Sequence, residues 1–377
     1  MSSRNRRLKI LQVNKLYYPV TGGIERIVQY IAEGLRDETD MQVLVCQRKG
    51  KGSWEQVNGV PVRRCGSLGV LFSVPLSLPF LWEFRRMARE ADIVHVHTPF
   101  PLGDLACMLS GYKGKVIISW HSDVVKQKKL MLIYKPLMNW FLRRADGIIV
   151  SANGIINGSS YLGPYREKCR VIPFAVNPEI NAKGKEYCMR QQGEPESGRP
   201  VRFLFVGRLV TYKGVDVLLQ AFPHVKGAEL HIVGTGDLEN ELKAYAKQHS
   251  LTDRVMFHGS ISDEELEREF EACDVFVLPS VTKNEAFALV QQEAMAYGKP
   301  VINTRLKSGV PEVSVHGETG LTVEPGDAKE LAAAMQELVD DPEKRIAFGK
   351  AARKKVDEQY TMEGMLAQIR KLYEDCI

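Results

Sequence analysis

Cysteine is sparse in this chain and unpaired by spacing. Seven cysteines, at positions 46, 65, 107, 169, 188, 273 and 376, are scattered through 377 residues with no Cys-x-x-Cys among them. That pattern argues against a disulfide framework or a zinc site and favours a reducing compartment. No run of eighteen apolar residues occurs, so no segment reads as membrane-spanning, and no secretory hydrophobic region follows the basic start Arg4, Arg6 and Arg7. Nucleotide fingerprints are missing as well. Gly234-Thr235-Gly236-Asp237 begins like a dinucleotide loop but carries Glu239 where a third glycine would stand, which weighs against an NAD enzyme. There is no Walker loop and no His-Glu-x-x-His, so a P-loop NTPase and a zincin-type protease are also disfavoured.

What is present is the composition of a folded soluble protein, 44% apolar and 26% charged. The length predicts two domains, since single cores rarely grow beyond roughly 250–300 residues. The net charge of +5 hides an asymmetry: residues 1–180 carry 26 Lys and Arg against 14 Asp and Glu, whereas residues 181–377 carry 25 against 32. The basic half must meet an anionic partner or surface. Nucleic acid is one candidate, but the basic residues are interleaved with long apolar side chains, which favours an anionic membrane. Two runs stand out in the basic half. Gly69–Trp82 is apolar but broken by prolines, and residues 126–144 mix lysine and arginine with Leu130, Met131, Leu132, Ile133, Trp140 and Phe141.

Strand and helix patterns alternate throughout, predicting an α/β fold with parallel sheets. In the first half, residues 8–14, 41–46, 93–97, 116–120, 147–150 and 170–173 read as strands, and a helix is expected over 22–35. In the second half the strands are 201–206, 229–233, 255–257, 275–279, 300–303 and 320–323, with helices such as 236–248 and 263–272 between them. The stretch 180–200, rich in Lys, Gln, Glu, Gly and Ser, reads as a linker. The expected domains are therefore residues 1–178 and 198–357, each a doubly wound Rossmann-like unit, with a cleft between them. Helical patterns follow at 328–340, 342–357 and about 362–376.

The most informative segment runs from Asn284 to Pro300. It follows the apolar strand Val275-Phe276-Val277-Leu278-Pro279, places Glu285 in a loop and Glu293 in a helix, and ends at Gly298 and Pro300, a usual helix stop. At 1.5 Å per residue the two carboxylates stand roughly 10–12 Å apart along the chain direction. That separation suits two ends of one extended ligand and is too long for an acid and base on one atom. A nucleotide-sugar fits, with sugar hydroxyls at Glu285, ribose hydroxyls at Glu293 and the diphosphate against the helix N-terminus, where unpaired N–H groups and the dipole favour anions.

This Glu-x7-Glu unit resembles the signature of retaining glycosyltransferases with two facing Rossmann-like domains, the GT-B fold. More narrowly it is similar to family 4, the glycosyl transferases group 1, which includes bacterial mannosyltransferases of surface polysaccharide synthesis. Gly22-Gly23-Ile24-Glu25, His121-Ser122-Asp123, Gly207-Arg208-Leu209 and Gly317-Glu318-Thr319-Gly320-Leu321 carry the likeness in order along nearly the whole chain. The resemblance implies an N-terminal acceptor-binding domain, a C-terminal donor-binding domain, and a final helix, about 360–377, that returns to the first.

It also implies roles for residues. Arg208 and Lys213 would hold the diphosphate, a guanidinium bidentately and an ammonium as a point charge, and would stabilise charge as the sugar–phosphate bond breaks. Glu285 would hold the donor sugar, Glu293 the ribose, and Phe287, Ala288 and Leu289 would line the donor site. Gly22 and Gly23 would let backbone N–H groups approach the phosphates. His121, at the C-terminal end of a strand where open α/β sheets bind ligands, would lie near the donor sugar. Asp123 would orient it or bind acceptor, and Glu25 would face the acceptor or simply favour the first helical turn. His95 and His97, alternating with valines, read as packed strand-end histidines. Ala288 stands where the family usually has glycine, which puts donor geometry in question. With no Asp-x-Asp in the chain, the metal-clamped glycosyltransferase fold is disfavoured, and neither a metal nor a cofactor is expected.

The expected activity is transfer of a hexose with retained configuration. The donor expected is GDP-mannose and the acceptor a lipid-linked or surface-polysaccharide oligosaccharide. A UDP-sugar donor and a nucleotide-sugar epimerase on the same fold stay open as alternatives. The expected location is cytoplasmic, at the inner face of the membrane, with nucleotide-sugar and polyprenyl-linked acceptor as partners and no nucleic acid.

Overall fold

The structure is a computed structural model that describes residues 6–20, 22–71, 74–123, 128–190 and 198–377. Its contacts divide the chain into two units: residues 1–174 with 363–377, and residues 175–362.

The first unit holds strands β1 (Lys9–Val13), β2 (Asp40–Cys46), β3 (Ser53–Val57), β4 (Val60–Cys65), the short pair β5 (Val70–Leu71) and β6 (Val74–Pro75), then β7 (Ile93–Thr98), β8 (Lys115–Trp120), β9 (Gly147–Val150) and β10 (Cys169–Val171). Its helices are α1 (Gly23–Gly34), α2 (Leu78–Ala88), α3 (Pro101–Ser110), α4 (Lys128–Arg144) and α5 (Asn153–Gly158). The main sheet runs β10-β9-β8-β7-β1-β2-β4-β3 and is parallel except for the β3–β4 pair. The central strands β7, β8 and β9 are buried along almost their whole length, the near-continuous apolar reading of a sheet covered on both faces. The antiparallel β3–β4 hairpin was absent from the expected strands. Residues 53–57 are largely exposed, so they lack the apolar run that marks a buried strand.

The second unit holds α6 (Pro178–Arg190), β11 (Val201–Val206), α7 (Val215–Ala221), β12 (Ala228–Val233), α8 (Glu239–Gln248), β13 (Val255–Gly259), α9 (Asp263–Ala272), β14 (Val275–Val277), α10 (Leu289–Ala296), β15 (Val301–Thr304), α11 (Val310–Val313), β16 (Gly320–Val323), α12 (Ala328–Asp340) and α13 (Pro342–Gln359). Its sheet is wholly parallel, in the order β13-β12-β11-β14-β15-β16. Phe203, Phe205, Leu218, Phe222, Ile232 and Met335 form part of one buried cluster, and each such side chain contributes about 1.5–3 kcal/mol of burial.

The expected linker is corrected in part. Residues 178–190 form α6, and 191–197 lie outside the described residues. Gly184 explains how a polar stretch becomes a packed helix: a Cβ there would meet Ala296 O at 2.4 Å, so the helix presses against the end of α10. Its other residues are mostly exposed or partly exposed, and those solvated side chains are what made the stretch look like a linker. The final helix, α14 (Met362–Cys376), packs into the first unit from Glu363 onward. Gly34 adjoins Leu366, Arg370 pairs with Glu38, and Tyr373 is fully buried.

Candidate active site

In the second unit the chain order reverses between β11 and β14: β12 and β13 lie to one side of β11, and β14, β15 and β16 to the other. Open α/β sheets bind ligands at such a switch point, beyond the C-terminal ends of the strands. Arg208 and Lys213 follow β11, and Glu285 follows β14.

Three glycines let these loops close on one another. A Cβ on Gly234 would lie 2.0 Å from Gly207 O, one on Gly236 2.3 Å from Leu209 O, and one on Gly214 2.0 Å from Pro279 O. Gly214 also takes a left-handed φ of 68°, which a Cβ disfavours. It ends the short turn Thr211–Lys213 and sends α7 back across the sheet. Lys213 is thereby tucked inward: its side chain is only 10% exposed, and Nζ stands 2.5 Å from Glu285 Oε2. Arg208 is exposed, with Nη2 donating to Tyr212 Oη at 3.2 Å.

Glu285 is held from behind. Ser280 Oγ donates to Glu285 Oε2 at 3.0 Å, and Thr304 Oγ1 donates to Ser280 O at 2.6 Å. The loop that follows is braced by Gln291, whose Nε2 donates to Phe287 O and Val310 O, while Asn303 Nδ2 donates to Gln291 Oε1 and to Val310 O. Ala288 sits at the N-cap of α10 with φ 58° and ψ 76°. The position demands a left-handed backbone, which favours glycine, so the methyl of Ala288 stores strain. Leu289 opens α10, and Glu293, one turn on, is buried. Phe287 is buried beside Tyr360, ring centroids 6.2 Å apart. Lys213, Glu285, Phe287, Ala288, Leu289 and Glu293 thus belong to one unit, with Arg208 at its rim.

The remaining residues singled out from the sequence belong to the first unit. Here the switch point lies between β1 and β7. Gly22 is the extended N-cap of α1, and the Glu25 carboxylate folds over it, 2.4 Å from where a Cβ would be. Gly23 opens the helix with nothing within 4 Å of its virtual Cβ. His121 follows β8 and is buried. The Asp123 carboxylate is engaged from the other side: Ser159 Oγ donates to Asp123 Oδ1 at 2.7 Å and Ser160 N donates to Oδ2 at 2.9 Å, which ties it to the end of α5.

His121 is the outer member of a buried polar chain. His121 Nε2 lies 3.0 Å from His97 Nδ1, and His97 Nε2 lies 2.8 Å from Gln12 Oε1. Gln12 Nε2 donates to Tyr373 Oη at 2.9 Å, and His95 Nδ1 lies 2.6 Å from that same hydroxyl. An amide oxygen only accepts. His97 therefore donates from Nε2 and accepts at Nδ1, His121 donates from Nε2, and its Nδ1 keeps a lone pair. Burial pushes the pKa of His121 and of His95 down to about 3, and that of His97 well below the usual histidine range, so all three are neutral near pH 7. His95 and His97 are packed strand histidines, as the alternation with valine suggested, yet they also connect His121 to the last helix. Gln12, Tyr373, Ser280, Gln291, Asn303 and Thr304 carried no sequence signal beyond their strand or helix assignment.

Known proteins resemble the chain in both units. Residues 22–175 match the family description "Glycosyl transferase 4-like domain" and residues 190–355 match "Glycosyl transferases group 1". The O-antigen chain mannosyltransferase C of Escherichia coli is 29% identical over 97% of this chain and 98% of its own. The D-rhamnosyltransferase WbpZ of Pseudomonas aeruginosa is 32% identical over 94% and 92%. Among solved structures, Anabaena HepE in complex with UDP superposes with a TM-score of 0.76 at 19% identity, covering 98% of this chain and all of that one.

Proposed function

Because this chain belongs to the glycosyl transferases group 1 family and is a glycosyltransferase of the GT-B fold, we propose that it transfers mannose from GDP-mannose, with retained configuration, to a lipid-linked or surface-polysaccharide oligosaccharide. The observation that carries the catalytic part is the buried Lys213–Glu285 pair beside the N-terminus of α10. An ammonium has three donors. One meets Glu285, and the others are available to phosphate oxygens, with the α10 dipole and Arg208 adding positive potential. Glu285 accepts from the sugar hydroxyls and Glu293 from the ribose. His121, neutral and with a lone pair on Nδ1, can accept from a hydroxyl of a substrate bound to the first unit. The acceptor hydroxyl attacks on the face from which the diphosphate departs, and its proton passes to the departing phosphate oxygen. Lys213 and Arg208 supply the charge neutralisation, and no metal is needed in this reading.

The relatives support the sugar. One is named a mannosyltransferase and the other a D-rhamnosyltransferase, and D-rhamnose is 6-deoxymannose. A second reading, a UDP-sugar donor, is favoured by the HepE structures with UDP and with UDP-glucose. The epimerase alternative draws no support from relatives named as transferases.

A cytoplasmic, membrane-docked enzyme fits a lipid-linked acceptor. No helix among the described residues is long and apolar enough to cross a membrane. In the basic unit, Leu78 and Trp82 of α2 and Leu132 and Ile133 of α4 are exposed by 64–81%, and Arg85 and Arg86 share α2, the composition of an interfacial surface.

The test is thermal stabilisation by GDP, UDP and NAD side by side, followed by mannose transfer to lipid-linked oligosaccharide. Ligand at 100 times its Kd adds about 2.7 kcal/mol, visible as a shift of a few degrees. A shift with GDP, and GDP release matched by mannose in the glycan, supports the proposal. A shift with UDP alone overturns the donor.

A further inference from the structure

Away from Lys213 and Glu285, the second unit gathers two imidazoles and a carboxylate whose lone pairs converge. His231 Nδ1 on β12 lies 2.9 Å from His258 Nε2 on β13 and 3.0 Å from Glu269 Oε2 on α9. His258 Nε2 lies 3.8 Å from Glu269 Oε1. Neutral imidazoles cannot satisfy this arrangement. If His231 holds its proton on Nδ1, its buried Nε2 becomes a bare acceptor 3.5 Å from the Glu229 carboxylate, with no hydrogen-bond partner. If the proton is on Nε2, the bare Nδ1 faces the Glu269 carboxylate at hydrogen-bond distance.

A bound cation resolves the conflict. We propose that His231 Nδ1, His258 Nε2 and Glu269 bind a zinc ion. Ligands about 2.0–2.2 Å from a tetrahedral zinc stand roughly 3.4 Å from one another; the two nitrogens here are 2.9 Å apart, Glu269 Oε2 is 3.0 Å from His231 Nδ1, and Glu269 Oε1 is 3.8 Å from His258 Nε2, so the carboxylate can present either oxygen near that spacing. Coordination at Nδ1 places the His231 proton on Nε2, facing Glu229, the carboxylate–histidine–metal arrangement that orients a ligand imidazole. The backbone supports the same site. The β12–β13 register steps from Ile232–Phe257 to Val233–Gly259 and leaves His258 out of the pairing, a strand irregularity of the kind that re-aims a side chain. Two nitrogens and one oxygen are a zinc set, with the fourth position for water. The ion would clamp β12, β13 and α9 together. It takes no part in the transfer proposed above, and the sequence hid it, because no metal-ligand spacing links the three residues.

The experiment uses untagged full-length protein stripped with chelator, then dialysed against zinc and assayed for bound metal. Wild type is expected to hold one zinc per chain, to melt at higher temperature with zinc, and to give the visible absorption of tetrahedral cobalt when Co2+ replaces it. His258→Ala, at a half-buried position, and Glu269→Gln are expected to lose the stoichiometric ion and the cobalt spectrum while keeping the far-UV circular dichroism of wild type. Glu229→Gln should weaken zinc about tenfold. No stoichiometric zinc in wild type, or equal zinc in His258→Ala, overturns the site. GDP stabilisation is read separately, so failure here leaves the donor reading standing.

Discussion

The Lys213 ammonium and the Glu285 carboxylate, brought from the ends of neighbouring strands, meet at 2.5 Å with both side chains about nine-tenths buried. A pair this shielded is costly to break from one side: removing a single partner leaves an uncompensated charge and costs about 3–5 kcal/mol. Lys213→Ala and Glu285→Ala should each lower transfer by about 100-fold or more and also lower the melting temperature. The double variant Lys213→Met, Glu285→Gln should regain most of the stability and none of the activity. Measuring unfolding and turnover on all three separates the structural from the catalytic contribution. Near-normal turnover in either single variant would sink the assignment.

Ala288 holds φ 58° ahead of α10. A left-handed conformation costs a non-glycine residue about 1–2 kcal/mol, partly offset in a glycine variant by the freedom glycine gains when unfolded. Ala288→Gly should therefore stabilise the protein by about 0.5–1 kcal/mol in urea unfolding and retain transfer activity. A loss of stability would mean that the methyl makes a packing contact that outweighs its strain.

The buried histidines make stability fall with acid. Burial lowers His95 and His121 from 6.5 to about 3, so the unfolded chain takes up protons that the folded chain refuses. Their contribution is complete above pH 6.5 and is lost as pH falls from there towards 3. His121→Gln, which cannot titrate, should show a shallower loss of stability between pH 6.5 and pH 4 than wild type. Parallel slopes would place the titrating groups elsewhere.

Asp104 works in the other direction. Buried on α3, it takes a hydrogen bond from Tyr134 on one oxygen and has no partner on the other, and burial raises it from 3.8 to about 7. The folded chain keeps its proton between pH 3.8 and 7 while the unfolded chain has lost it, so stability declines as pH rises through that window. Asp104→Asn should stabilise the protein by about 1–3 kcal/mol at pH 8, with the gain shrinking towards zero below pH 4. Urea unfolding at the two pH values gives the comparison.

Leu132 and Ile133 are each 80% exposed on α4. Inserting a side chain of that size into an apolar phase gains about 1.5 kcal/mol or more. Leu132→Glu with Ile133→Glu should therefore weaken sedimentation with anionic vesicles by about tenfold or more, without changing GDP-induced stabilisation. Undiminished vesicle binding would remove α4 from the membrane surface.

Local signals were enough for much of this molecule. Buried parallel strands are continuous β-branched runs, so all six expected strands of the second unit appear within a residue or two of their expected ends. Glycines were legible too, because the tight turns they permit are local. Polar surface misled: α6 reads as a linker because most of its residues face solvent, whereas the contact of Gly184 with Ala296 and the bonds of Tyr187 to Glu271 and Lys299 show that it is packed.

The sequence by itself determined the α/β class, the placement of Glu285 and Glu293 on one strand–loop–helix unit, and the family, since each rests on residues close in the chain or on motifs kept in order. Tertiary structure alone decided which distant groups share protons or charge. Lys213 reaches Glu285 because β14 pairs beside β11, Gln12 ties His97 to Tyr373 because β7 lies beside β1 and the last helix packs against that sheet, and His231, His258 and Glu269 converge through a register break. Side-chain chemistry is written locally. Partnership depends on strand order and on the burial that makes an unmatched polar atom expensive, and neither has a period that can be read along a chain.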